Sequence, residues 1–115
     1  MNDTPPLKGI PLARTQVFAI VAQIPEGQVM GYGQVGGFLQ PPLSGLWVGR
    51  ILAGSTETLP WWRVVGADGS LLVRKRDALL AIEQEQRLQE EGVDFTEDGR
   101  VQMKRFQWKP EDLFF

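Results

Sequence analysis

Ile24-Pro25-Glu26-Gly27-Gln28-Val29-Met30-Gly31-Tyr32-Gly33-Gln34-Val35 is the stretch on which the fold turns. Upstream of it, Val17, Ile20, Val21 and Ile24 fall at helical spacing and form one apolar stripe, and Pro11 suits a first helical turn. A core-facing helix is therefore expected over roughly 12–24. Pro25-Glu26-Gly27 ends it, because Pro disfavours helical geometry in the residue before it and Gly tolerates the turn that follows. Downstream, Gly31-Tyr32-Gly33 opens a short segment from Gln34 to Leu39. Its Gly36-Gly37 pair would cost a helix about 1 kcal/mol per Gly relative to Ala, so packing must hold it. Pro41-Pro42 forbids continuation, and Pro42 is placed to start a third helix over Leu43 to Ala53. Three short helices joined by tight Pro and Gly connections point to a helix-turn-helix arrangement.

Beyond Ala53, Gly54-Ser55-Thr56-Glu57-Thr58 reads as a polar loop and Pro60-Trp61-Trp62-Arg63-Val64-Val65 as a dense apolar segment. Ala67-Asp68-Gly69 is a turn signal, with Leu71, Leu72 and Val73 as a return strand. Asp77 to Glu91 is rich in helix formers, with Leu79, Leu80, Ile82 and Leu88 apolar and Glu83 four residues before Arg87 for a supporting pair. Gly92 stops this helix. Val93-Asp94-Phe95 and Val101-Gln102-Met103 alternate around Asp98-Gly99, a hairpin signal. The expected class is mainly α with a small β element, in one domain over 1–115.

Composition removes most chemistry. The chain has 115 residues, 43% of them hydrophobic, with no Cys and no His. That excludes disulfides, thiolate or imidazole catalysis and the commonest zinc sets, so neither metal nor cofactor is expected. Carboxylates such as Glu57 and Asp68 are scattered without a recognisable pairing. No apolar run approaches the roughly 20 residues that cross a bilayer and Met1 to Pro6 lacks a basic-then-apolar signal pattern, so a cytoplasmic, soluble protein without membrane contact is expected. It is also expected to be a monomer. The net charge of −2 is unevenly spread: residues 1–76 carry seven bases and four acids, residues 77–115 five bases and ten acids. This split is compatible with nucleic-acid contact confined to the first part, and equally with a chance division of charge on an ordinary surface.

Ile24-Pro25-x-Gly27-x-Val29-x-x-Tyr32-Gly33-x-Val35 resembles a segment of the O6-alkylguanine-DNA alkyltransferases. Val48-Gly49, Pro60-x-x-Arg63-Val64-Val65, Asp68-Gly69 and Glu91-Gly92-Val93 follow in that family's order, so the match spans about 13–93 and leaves 94–115 as a C-terminal hairpin and tail. The resemblance implies a winged-helix-like helix-turn-helix domain of the alkyltransferase C-terminal type. In that family the residues after the Pro matching Pro60 are the alkyl-accepting Cys and a His; here they are Trp61 and Trp62. An indole cannot act as a thiolate nucleophile. The chain is thus similar to the alkyltransferase-like proteins, which implies a non-enzymatic protein that binds double-stranded DNA containing O6-alkylguanine and hands it to nucleotide excision repair proteins.

The resemblance also implies a site. Tyr32, Pro60, Trp61, Trp62 and Val65 would form the lesion pocket, and Tyr32, Gln34, Leu46, Trp47, Arg50 and Arg63 the DNA-binding surface, with the third helix as recognition helix in the minor groove. Such a protein must take a base out of the stack, at a cost of a few kcal/mol. Leu46 stands where the family has an Arg that fills the vacated space; a Leu can wedge but not hydrogen-bond, and Arg50, one turn on, is a candidate substitute. Trp61 is either a face for the base or a plug in the vacated pocket. Arg63 could hold its segment to neighbouring carbonyls or acids instead of DNA. Glu91 matches the carboxylate behind the family's Cys-His pair and is read as structural. Arg74-Lys75-Arg76 could reach the backbone or remain solvated. The alternatives are a helix-turn-helix DNA-binding module without lesion selectivity, and a scaffold that binds only protein.

Overall fold

The computed structural model describes residues 10–55, 58–111 and 113. Glu57, Phe114 and Phe115, and the side chain of Pro11, lie outside what it describes. The expected class is observed: a mainly helical chain with a two-stranded sheet. Helix α1 (Ile10–Gln23) buries the predicted stripe, with Val17, Ile20 and Val21 fully inaccessible and Ile24 nearly so. Its exit is the expected turn, in which the Gln28 amide donates to the Pro25 carbonyl and Gly27 takes a positive φ of 82°. Strand β1 (Met30–Gly31) follows and pairs in parallel with β2 (Val64–Val65), Met30 opposite Val64 and Gly31 opposite Val65. This pairing carries the dense apolar segment into the core beside the quoted stretch.

Helix α2 (Tyr32–Gly37) begins two residues before the expected start because the Gln34 side chain accepts the Gly31 amide at 3.0 Å. Packing does hold this glycine-rich turn. A Cβ on Gly36 would sit 1.8 Å from the Leu43 carbonyl oxygen, so only Gly lets the chain fold back between α2 and α3. Helix α3 (Gly45–Ala53) starts later than expected, because Ser44 and not Pro42 is the N-cap, its Oγ accepting the Trp47 amide at 3.4 Å. Val48 and Ile51 face the core and close the first apolar cluster, built mostly from α1 to α3 and β2.

Trp61–Arg63 is one 3-10 turn and Leu72–Lys75 another. The second corrects the expected return strand at Leu71 to Val73: Arg74 and Arg76 amides fold back onto the Leu71 and Val73 carbonyls, so the segment is a ridge with no ladder partner among the described residues. Helix α4 (Ala78–Glu90) is capped by Asp77, which accepts the Leu79 and Leu80 amides, and carries the expected Glu83–Arg87 pair at 2.9 Å. Its buried face is Ala81, Gln84 and Leu88. Leu79 (77% exposed) and Ile82 (53%) face outward, against the apolar reading of this helix. Gln84 is tolerated inside because its Nε2 donates to the Trp62 and Val64 carbonyls, both at 3.0 Å, tying α4 to β2. The hairpin forms as a single antiparallel bridge, Phe95 with Val101, before the short helix α5 (Met103–Phe106); Val29 then bridges Gln107. A second apolar cluster of Val29, Val65, Leu71, Leu88, Val93 and Val101 lies under this end.

Candidate nucleic-acid interface

The outward face of α3 and the ridge at Leu72–Lys75 enclose a concavity of about 690 Å³. Leu46, Gly49, Arg50 and Ala53, at helical spacing, form one wall; Gly66, Ala67, Leu72, Val73 and Arg76 form the other, with Tyr32 and Gly33 at the base. The lining is largely apolar, with Arg50 and Arg76 bringing positive charge from opposite walls. Leu46 (58% exposed) and Leu72 (45%) are large apolar side chains left in solvent on the two jaws. On α3, Trp47 is half-buried and the Arg50 guanidinium lies 5.0 Å from its ring centroid, which braces Arg50 on the same face.

A smaller cavity of about 240 Å³ opens beside it and shares Tyr32, Gly49, Ala53, Val73 and Arg76. Trp61 lines this inner space together with Leu52, Ser55 and Leu80. The indole is thus a wall and not a sealed plug. Tyr32 stands between the two spaces, its ring against Gly49, where an added Cβ would lie 3.7 Å from Cδ1 and Cε1. Burial raises the phenol above its ordinary range, and the Arg76 charge opposes that rise.

Six of the expected residues line neither space: Trp47, which stacks on Arg50, and five others. Gln34 accepts from the Gly31 amide and from Gln107 Nε2 and donates to the Trp108 carbonyl, so both ends of its amide are engaged inside the fold. Val65 is fully buried in the second apolar cluster. Arg63 donates to the Ile24 carbonyl at 2.9 Å and pairs with Glu91 at 2.7 Å, so the structural alternative describes it. Trp62 gives its indole N–H to Glu91 at 2.8 Å, with the Arg87 guanidinium 4.5 Å from its ring centroid and that of Arg63 at 5.5 Å. Pro60 is half-buried and its carbonyl accepts the Arg63 amide. Glu91 also accepts the Gly27 amide at 2.9 Å, which makes one carboxylate the joint of three segments. Burial pushes this carboxyl up, but the bonds from Arg63, Gly27 and Trp62 together outweigh that and hold it below the usual glutamate range.

The model of the 6-O-methylguanine DNA methyltransferase DNA-binding domain matches residues 13–93. The chain belongs to this family. An alkyltransferase-like protein of Schizosaccharomyces pombe is 34% identical over 104 residues, which cover 84% of this chain and 94% of that protein. A DNA base-flipping protein of Vibrio parahaemolyticus is 33% identical over 97 residues, covering 83% of this chain and 94% of that protein. The crystal structure of S. pombe Atl1 with damaged DNA containing O6-carboxymethylguanine superposes with a TM-score of 0.75 at 31% identity, covering 87% of this chain and 97% of that one.

Within this methyltransferase-domain family the present chain carries no thiol. Arg76 enters the sequence reading only within Arg74-Lys75-Arg76, as a cation for the DNA backbone or for solvent, whereas it lines both spaces. Leu72 was expected within a strand, and only its exposure on the ridge shows it as part of a jaw.

Proposed function

We propose that this chain is a non-enzymatic reader of O6-alkylguanine in double-stranded DNA. Tyr32 guides the turning backbone, Leu46 enters the stack as a wedge, and the displaced base sits against α3, Leu72 and Arg76 with its alkyl group toward Trp61. The observation that carries the reading is the paired concavity on α3, with Tyr32 and Arg76 shared by both spaces and an indole lining the inner one. An apolar space suits an alkylated base, and extrusion costs less where alkylation has already weakened pairing. With no sulfur nucleophile to accept the alkyl group, Trp61 standing at that position, the complex persists unreacted. Its lifetime on DNA then marks the site for nucleotide excision repair proteins, with the chain acting as a monomer in the cytoplasm. Arg63, Trp62 and Glu91 serve this reading by fixing the segment that presents Trp61.

Fluorescence anisotropy with two duplexes that differ only in one O6-methylguanine tests it, with mass spectrometry of the recovered DNA. The reading expects tighter binding to the modified duplex and an intact methyl group. Equal affinity for both duplexes, or demethylated DNA, would defeat it.

A further inference from the structure

The ridge at Leu72–Lys75 has a second side. Behind it lies a cleft of about 500 Å³, lined by Arg74, Lys75 and Arg100, by Asp68 and Asp98, and by the backbone around Ser70 and Gly99. Leu72 borders both this cleft and the concavity on α3, so the two adjoin at its side chain. Arg100 bridges the two carboxylates, with Nη2 at 2.9 Å from Asp98 and Nη1 at 3.8 Å from Asp68. Arg74 and Lys75 are exposed and have no ion-pair partner among the described residues. The cleft therefore holds its acids neutralised in part by Arg100 and keeps two uncommitted cations on its ridge.

We infer that this cleft is a backbone seat for DNA, in which Arg74 and Lys75 take the phosphates of the strand that runs past Leu72. Two observations commit it to that occupant. The first is continuity: a strand whose base enters the α3 concavity carries a phosphate for about every 3.4 Å of helix rise, so its neighbours must cross an adjoining surface. The second is charge. Arg76 on one side of Leu72 and Arg74 with Lys75 on the other make one cationic band along the ridge, in the part of the chain where bases outnumber acids. Arg74 and Lys75 close the 3-10 turn and Arg76 caps it; with about three residues per turn the three cations fan out around the ridge, and the run is divided between the two concavities. Such contacts read no base, so they add affinity without selectivity.

The inference rests on the reading of the chain as a DNA binder, and its test separates the two. Dissociation constants of wild type, R74A/K75A and the control R14A/K104A are measured against salt concentration on the modified and the unmodified duplex. Arg14 and Lys104 are exposed and border neither concavity. Each phosphate contact contributes about 0.9 to the slope of log affinity on log salt, so R74A/K75A lowers the slope by about one to two and weakens both duplexes by the same factor. The control keeps the wild-type slope. R74A/K75A with an unchanged slope, or with a loss confined to the modified duplex, would overturn the backbone seat. Loss of the lesion preference in wild type, with the slope difference intact, would instead overturn the lesion reading and leave the seat standing. Thermal melts of all variants, expected to coincide, exclude misfolding as the cause, and R74E/K75E should lower the slope further.

Discussion

Removing the Glu91 carboxylate should unhinge the segment that presents Trp61. The Glu91 side chain is 8% exposed and that of Arg63 15%, and the two share three contacts of 2.7–3.1 Å. Leaving one partner of such a buried pair uncompensated costs about 3–5 kcal/mol. The lower end applies to E91A, because Arg63 keeps the Ile24 carbonyl and the Trp62 ring. At about 4 °C per kcal/mol for a domain near this size, E91A should melt about 12 °C below wild type. R63A/E91A should lose less than the sum of the single variants, since the second deletion removes an orphaned charge. W62F removes one hydrogen bond to a charged acceptor and should cost about 1.5–3 kcal/mol. The pH dependence has a definite sign. Glu91 titrates below its unfolded value of about 4.3, so its contribution is complete above that value and is lost as pH falls through the folded pKa. Wild type should therefore destabilise on acidification more steeply than E91A. Urea and thermal denaturation at neutral and acid pH measure all of this. An E91A variant within about 1 kcal/mol of wild type, or one with the wild-type acid slope, would refute the reasoning.

Three further outcomes are expected. G36A forces a Cβ to 1.8 Å from the Leu43 carbonyl oxygen and should cost about 3 kcal/mol in denaturant titrations, where an unaffected midpoint would show that the α2–α3 turn relaxes freely. L46A changes an exposed side chain and should leave stability within about 0.5 kcal/mol. It should nevertheless weaken binding to the modified duplex about tenfold, equivalent to about 1.4 kcal/mol. Unchanged affinity in the anisotropy assay would remove Leu46 as the wedge. Ultraviolet titration of Tyr32, the only tyrosine, should give a midpoint above the ordinary value of about 10, and R76A should move it higher by removing the cation that favours the phenolate. A downward move would place Arg76 away from the phenol.

The parts of the fold that could be read from the sequence were those set by a repeated apolar spacing or by backbone chemistry. Val17, Ile20, Val21 and Ile24 define α1 by themselves, and Gly27 ends it with a conformation that suits glycine. Residues 71–75 defeated the reading because a short apolar run has no period that separates a strand from a 3-10 turn. On α4 the apolar residues misled: Gln84 goes inside because two carbonyls across the interface need a donor, a demand that exists only once Trp62 and Val64 are in place. The same holds for the site. Tyr32, Leu46, Arg50 and Trp61 could be picked out and do meet around α3, whereas Gln34 and Arg63 are polar groups engaged inside by Trp108, Gln107 and Glu91, partners far away in the chain. A polar residue in a motif carries no mark of whether its partner is the protein or the ligand.

The central claim is that a displaced base occupies the space between α3 and the Leu72 ridge. A crystal structure of the full chain with a duplex containing one O6-methylguanine tests it most directly. The account predicts the modified base outside the stack, beside Tyr32, Gly49 and Arg76, with Leu46 in the gap. A modified base still stacked in the duplex, with no nucleotide between α3 and the ridge, would contradict it.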